Sequence, residues 1–320
     1  MLRTGVIGIG VMGKHHARVY SEHPDLELVG VSDVNRDEGK RVASNYGTTY
    51  FPDYMDLLEA DLDLLSIAVP TSLHADIALN AADYGINMLI EKPISKSIEE
   101  AESIINAARE NNVKVMVGHI ERFNPAVVKL KEMVDKGEFG KIITISGRRI
   151  GPFNPRIRDV GIIIDLAVHE IDVFSYIFGK VAQEVYTVAG NNFHTMEDYA
   201  SILLRFPDNA SGNVDTNWLS PKKVRRMTVV GTECVAEVDF IQQELELWKN
   251  DKDIEKVKTD KEEPLKLEIQ HFIDSINNNH EPEPNGEDGA YVLGVALSAI
   301  KSYRERKPIS LDWFTSKKLI

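Results

Sequence analysis

The 320-residue chain contains one cysteine, Cys234. No disulfide can close within it, and no thiolate cluster can hold a metal. The lone thiol reads as a small buried apolar residue. Positive charge is also scarce: 37 Lys and Arg stand against 50 Asp and Glu, a formal −13. An acidic surface argues against nucleic acid or an anionic membrane as partner, since both require basic patches. It leaves room for an anionic small molecule held by a local group of arginines. No apolar run approaches the roughly eighteen residues of a membrane-spanning helix. The opening, "MLRTGVIGIG", reads as a strand and not as a basic-then-apolar signal region, so a cytoplasmic protein is expected. What remains is an ordinary globular composition, 43% hydrophobic and 27% charged, in a chain long enough for two domains.

The pattern along the chain changes near Gly118. Before it, apolar strands (Leu2–Ile9, Leu26–Ser32, Leu64–Val69, Ile86–Ile90, Val113–Val117) alternate with helix-forming segments (Met12–Ser21, Arg36–Asn45, His74–Tyr84, Ile98–Asn111). Strands apolar on both faces and separated by helices predict a doubly wound parallel sheet. After it, Lys141–Ile150, Glu184–Ala189, Ala200–Arg205, Asn213–Trp218 and Arg226–Val230 alternate polar with apolar residues, the sign of antiparallel strands with one solvated face. Asp165–Phe178 and Ala290–Arg304 read as helices, and the charged Asn250–Glu263 as a solvated loop or hairpin. The expected fold is α/β: a Rossmann domain over residues 1–120, then an α+β domain over 121–320 with an open, mainly antiparallel sheet. The C-terminal helix is expected to pack back on the first domain.

Gly8-Ile9-Gly10-Val11-Met12-Gly13 matches G-x-G-x-x-G between a predicted strand and a predicted helix. The first glycine permits the tight turn, the second lets backbone approach a pyrophosphate, and the third allows close helix–strand packing. The helix N-terminus offers free N–H groups to the anion. Asp33, twenty residues after Gly13, ends the second strand, where an acid accepts from both ribose hydroxyls and repels a 2′-phosphate. This favours NAD over NADP, although Arg36 stands close enough to accommodate a phosphate. Ligands in such sheets bind outside the carboxyl ends of the strands. "AVPTSLH", with Val69, Pro70, Thr71 and His74, and "IEKP", with Glu91 and Lys92, lie at such ends and complete the cofactor-binding candidates.

A second constellation interrupts the apolar run "GIIIDLAVHEIDVFSYIFG": Asp165, His169 and Asp172, spaced to share one face of a helix. Burying an unpaired acid or imidazole is costly, so these groups are expected to be paired or functional. A carboxylate one turn from a histidine orients the ring and stabilises its charged form, as a general base requires. A buried structural network is the competing reading. A metal site lacks a third ligand.

With "GVIGIGVMGKHHARVY", "AVPTSLH", "EKP" and the D-x-x-x-H-x-x-D spacing in this order, the whole chain resembles the Gfo/Idh/MocA oxidoreductase family. Ala167 departs from the glycine often found two residues after the motif aspartate. The resemblance implies an NAD(P)-binding Rossmann domain, a second domain whose open sheet forms homo-oligomers, and a sugar or cyclitol substrate. It implies that Lys92 and His169 are catalytic or substrate-orienting, with Asp165 as partner acid. Either Lys92 or His169 could be the base, and the reaction could run as oxidation or reduction.

The substrate is read from "RRIGPFNPRIRDVG", which sets four arginines ahead of Asp165 in an acidic protein. Guanidinium forks match phosphate oxygens. Arg148 and Arg149 alternate on a strand, so one of them at most serves this site. Arg149 and Arg156 are taken as substrate-binding with Lys92, Asp165 and His169, and Arg158 could also reach in. The runs "GHIERFNPAV" and "GPFNPRIRDVGIIIDLAVHEID" resemble the branch of the family that oxidises C3 of UDP-N-acetylglucosamine, which would make the partner a nucleotide sugar. The alternatives are an inositol or free-sugar dehydrogenase and a dinucleotide-binding regulator without catalysis.

Overall fold

A computed structural model of the chain describes residues 1–153, 160–249 and 254–312. It divides into two compact units, Met1–His119 with Leu265–Ala290, and Ile120–Pro264 with the chain from Tyr291 onward.

The first unit is built on β1 (Leu2–Ile7), β2 (Leu26–Ser32), β3 (Thr49–Phe51), β4 (Leu64–Ile67), β5 (Asn87–Glu91) and β6 (Val115–Gly118). All neighbours pair in parallel, in the order β3-β2-β1-β4-β5-β6. The strands are buried on both faces: Val6, Val31, Leu64, Leu65, Met88, Leu89, Ile90 and Val117 are all enclosed, as a parallel sheet covered by helices demands. The covering helices are α1 (Val11–Glu22), α2 (Arg36–Tyr46), α3 (Tyr54–Leu58), α4 (His74–Asp83) and α5 (Ile98–Glu110). Local chemistry sets their starts. The Asn35 side chain accepts from the Glu38 N–H at the head of α2, and Ser97 from the Glu100 N–H at the head of α5. Strand order reverses between β1 and β4, the crevice where such sheets bind ligands.

The second unit begins with α6 (Pro125–Asp135), capped by Asn124 and opened by Pro125. Its sheet joins β7 (Ile142–Pro152), β8 (Glu184–Gly190), β9 (Tyr199–Arg205), β10 (Ser211–Asn217), β11 (Leu219–Gly231), β12 (Val235–Asp239), β13 (Glu244–Trp248) and β14 (Ile254–Val257). With β15 (Ile309–Ser310), the order is β14-β13-β12-β11-β7-β10-β9-β8-β15, antiparallel except where β10 meets β7. A π-helical turn, Ile163–Ala167, runs into α7 (Val168–Phe178), which packs on β7 and β10. The predicted uniform helix from Asp165 is therefore wider in its first turn. Two long helices follow β14: α8 (Pro264–Asn277), which belongs to the first unit from Leu265 on, and α9 (Gly286–Glu305), which belongs to the second from Tyr291 on. The charged segment predicted as a loop or hairpin supplies β14, which pairs antiparallel with β13. Cys234 is buried as expected, and burial raises its thiol pKa. Among the described residues no helix is long and apolar enough to cross a membrane.

Candidate active site

The candidate residues of the first unit converge on one edge of its sheet. Gly8–Gly13 follows β1, Asp33 and Arg36 follow β2, Val69–Thr71 follow β4, and Glu91 ends β5 with Lys92 next. Gly8 has φ +88°, and a Cβ on it would lie 2.6 Å from the Ala68 carbonyl oxygen. A Cβ on Gly13 would collide with the Gly8 carbonyl oxygen. Neither position accepts a side chain without backbone movement. Gly10 faces open space, and α1 starts there with no side-chain cap and no acidic residue in its first turn. Its leading N–H groups and positive dipole end are thus presented to a ligand, which fits a dinucleotide pyrophosphate.

Asp33 is tied to this turn. One carboxylate oxygen accepts from the Ile9 N–H at 2.6 Å and the other from the Asn35 N–H at 2.7 Å, while Tyr50 Oη donates to its carbonyl at 2.9 Å. The acid is thereby fixed beside the glycine-rich turn, where a ribose hydroxyl would need it. Arg36 begins α2 and is exposed.

Lys92 is half-buried, and the Lys92–Pro93 peptide is cis. Its neighbour Glu91 is anchored from below: Glu91 Oε1 lies 3.1 Å from Nε2 of His16, which is fully buried, and His16 Nδ1 lies 2.8 Å from Ser66 Oγ. Burial opposes the charge on Glu91, but the His16 bond and nearby Lys92 outweigh it and hold the carboxyl below its ordinary value. His16 was missed in the sequence. A signal existed, because Gly13, His16, Ala17 and Tyr20 fall at i, i+3, i+4 and i+7 and are all buried on the inner face of α1.

One cofactor-binding expectation needs correction. His74 is 1% exposed, and its two ring nitrogens lie 2.9 Å from the carbonyls of Pro93 and Val69. The buried ring sits between these carbonyls, its one N–H donating to one of them, and so lies between the loop after β4 and the loop after β5. It supports the cofactor edge without facing a ligand. Burial lowers its pKa in spite of the carbonyls.

In the second unit, Asp165 lies in the π-helical turn and His169 in the first turn of α7, both half-buried. Such turns are frequent at functional sites. Asp172, on the same predicted face, is 1% exposed and is gripped by the Arg122 fork at 2.7 to 3.1 Å. It is structural. Arg149 also departs from expectation. Its side chain is 1% exposed, its Nε donates to Glu170 at 2.6 Å, and its Nη2 donates to Glu121 at 2.9 Å. The alternation on β7 points Arg149 inward, while Arg148 faces out to Asp215. Arg149 is therefore withdrawn from the substrate-binding set. Arg156 and Arg158 lie outside the described residues.

A parallel sheet of this order, with its glycine-rich turn, uncapped helix and fixed acid, defines an NAD-binding Rossmann domain of an oxidoreductase. Residues 2–119 match the oxidoreductase family with NAD-binding Rossmann fold, and residues 127–237 match the Gfo/Idh/MocA C-terminal domain. The chain belongs to the Gfo/Idh/MocA oxidoreductase family. It is 30% identical to a UDP-N-acetylglucosamine 3-dehydrogenase of Acidithiobacillus ferrooxidans, over 95% of this chain and 99% of that one. It is 29% identical to a scyllo-inositol 2-dehydrogenase (NAD(+)) of Bacillus subtilis, over 97% and 96%. A solved structure of the Acidithiobacillus enzyme superposes with a TM-score of 0.88, covering 95% of this chain and 98% of that one at 30% identity.

Proposed function

We propose that the chain is an NAD-dependent dehydrogenase of sugar or polyol carbinols, and that it oxidises C3 of UDP-N-acetylglucosamine to the 3-keto nucleotide sugar. The observation that carries the dehydrogenase reading is the position of Lys92. It follows β5 on the sheet edge that also holds the glycine-rich turn and Asp33. The choice of substrate follows the end-to-end similarity to the Acidithiobacillus enzyme. Inositol is the second reading, favoured by the equally extensive similarity to the Bacillus enzyme.

NAD, when bound, supplies the two-electron acceptor. Gly8, Ile9, Gly10, Val11, Met12 and Gly13 would hold its pyrophosphate and Asp33 its adenosine ribose. Val69, Pro70, Thr71 and Glu91 would shape the nicotinamide end. His169, oriented by Asp165, accepts the proton of the reacting hydroxyl. Lys92, at the cofactor edge of the first unit, is assigned a hydrogen bond to a carbinol oxygen, where its charge favours a developing alkoxide. The outer face of the second unit's sheet exposes Tyr186, Val188 and Leu203, and we assign homo-oligomer formation to it.

The test is NADH formation at 340 nm with NAD and UDP-N-acetylglucosamine, against free N-acetylglucosamine and myo-inositol, with a carbonyl trap to draw the equilibrium forward. Turnover confined to the nucleotide sugar supports the reading. Turnover confined to inositol would replace the substrate and keep the catalytic residues. Silence with all three, together with tight NAD binding, would contradict it.

A further inference from the structure

The withdrawal of Arg149 removes the one described arginine of the predicted substrate-binding set, yet positive charge does gather near Asp165. In the β11–β7 ladder, Arg225 stands directly opposite Arg149 on the buried face. Like charges in directly opposed positions repel. Both guanidiniums turn to one acceptor: Glu121 Oε1 takes Arg149 Nη2 at 2.9 Å and meets Arg225 Nη1 at 3.5 Å. Arg225 is thus the weaker claimant on that carboxylate, and 32% of its side chain is exposed. The ladder register shifts between Leu219 and Val224, an irregularity of the kind that re-aims side chains beside sites. Lys223 emerges from it, close enough to Gly151 on β7 that a Cβ there would lie 3.8 Å from Lys223 Cα.

Three cations, Arg149, Arg225 and Lys223, gather about the acids Glu121 and Glu170, with Asp165 close enough to act on Arg225, and burial raises the pKa of Glu170 in spite of Arg149. Burial and Arg149 lower the Arg225 pKa, although Glu121, Glu170 and, least of the three, Asp165 act in the other direction. The Lys223 pKa is lowered first by Arg225, then by burial and by Arg149. An anion beside Arg225 and Lys223 would ease the repulsion between these cations. Nη1 of Arg149, buried in the same cluster, makes no hydrogen bond among the described residues.

We propose that Arg225 and Lys223 form an anion-recognition subsite beside Asp165, which selects carbinol substrates carrying a negatively charged substituent, a phosphate or a carboxylate, over uncharged polyols. The half-exposed Arg225 fork supplies the directional contact, and Lys223 adds a mobile point charge. Arg149 is the buried base on which Arg225 rests. The inference deepens the reading of a sugar dehydrogenase and rests on it for the identity of the reacting group.

The test uses the full-length enzyme saturated with NADH, so that the dinucleotide site is filled, and titrates UDP and glucuronate separately by calorimetry. Variants are Arg225→Gln, Arg225→Lys and Lys223→Gln, with NADH affinity measured on each as the control for folding. The expected result is a dissociation constant for UDP, glucuronate or both raised at least tenfold in Arg225→Gln and severalfold in Lys223→Gln. Arg225→Lys recovers part of the loss, and NADH affinity is unchanged throughout. Which probe responds identifies the phosphate or the carboxylate as the recognised group. Equal affinity of both probes for wild type and Arg225→Gln, or binding of neither to wild type, overturns the subsite, and turnover of myo-inositol in the same preparation would leave the dehydrogenase reading intact. Arg225-dependent binding without turnover of any carbinol would support the subsite while contradicting the dehydrogenase.

Discussion

Replacing Arg149 by methionine separates a structural arginine from a substrate-binding one. The substitution keeps an unbranched apolar stem of similar length, so little cavity is made, but it removes the charge that bonds Glu170 at 2.6 Å and, among the described residues, the closer of two that meet Glu121. Breaking a buried ion pair by removing one partner costs about 3–5 kcal/mol, because the other is left charged out of water. For a unit of this size, that corresponds to a melting point about 6–20 °C lower. The loss should depend on pH. Glu170 has a folded-state pKa raised above its ordinary value by burial, so its contribution to stability is complete below the ordinary carboxylate range and is lost as pH rises through the raised value. Without Arg149 the pKa rises further, and the deficit of the variant is smaller at pH 5 than at pH 8. Tryptophan fluorescence reports it, since Trp218 and Trp248 lie in the second unit. A variant that melts within about 1 kcal/mol of wild type at both pH values, while its KM for the sugar rises, would refute the structural assignment and return Arg149 to the substrate site.

Gly13→Ala must push the Gly8 carbonyl away and should weaken NAD binding about tenfold or more, about 1.4 kcal/mol, by calorimetry; unchanged affinity would mean that the turn does not hold the pyrophosphate. Asp33→Ala should shift the ratio of kcat/KM for NAD and NADP toward NADP, and a constant ratio would count against Asp33 as the ribose acceptor. His74 has a lowered folded-state pKa, so the unfolded chain takes up its proton first and stability is lost as pH falls through the ordinary imidazole range. His74→Gln should flatten the melting-point profile between about pH 7 and pH 5, and an unaltered slope would exclude His74 as its source.

The first unit was legible because its signals are local. An apolar run bounded by glycine and an acid declares a parallel strand, and β2 is found at its predicted bounds, Leu26–Ser32. The three-residue β3 was not legible, because Thr49–Phe51 is too short to carry a period. In the second unit, alternation showed that Arg148 and Arg149 face opposite ways, but parity does not say which way is inward. That depends on where α7 and Glu121 come to rest, which are contacts between residues far apart in sequence. The same limit hid Arg225, whose meaning arises only when β11 lies beside β7. The His16–Glu91 contact spans 75 residues, and spacing within a motif could not reveal it.

The most direct test of the central claim is the turnover of Lys92→Ala beside wild type, read as NADH formation at 340 nm with NAD and UDP-N-acetylglucosamine, with NAD affinity measured on both proteins. Lys92 is assigned to the reacting oxygen, and the cofactor is held mainly by the glycine-rich turn and Asp33. The account therefore predicts a fall in kcat of about a hundredfold or more, with NAD affinity unchanged within about a factor of three. Equal turnover in the two proteins, or a loss explained entirely by weaker NAD binding, would contradict it.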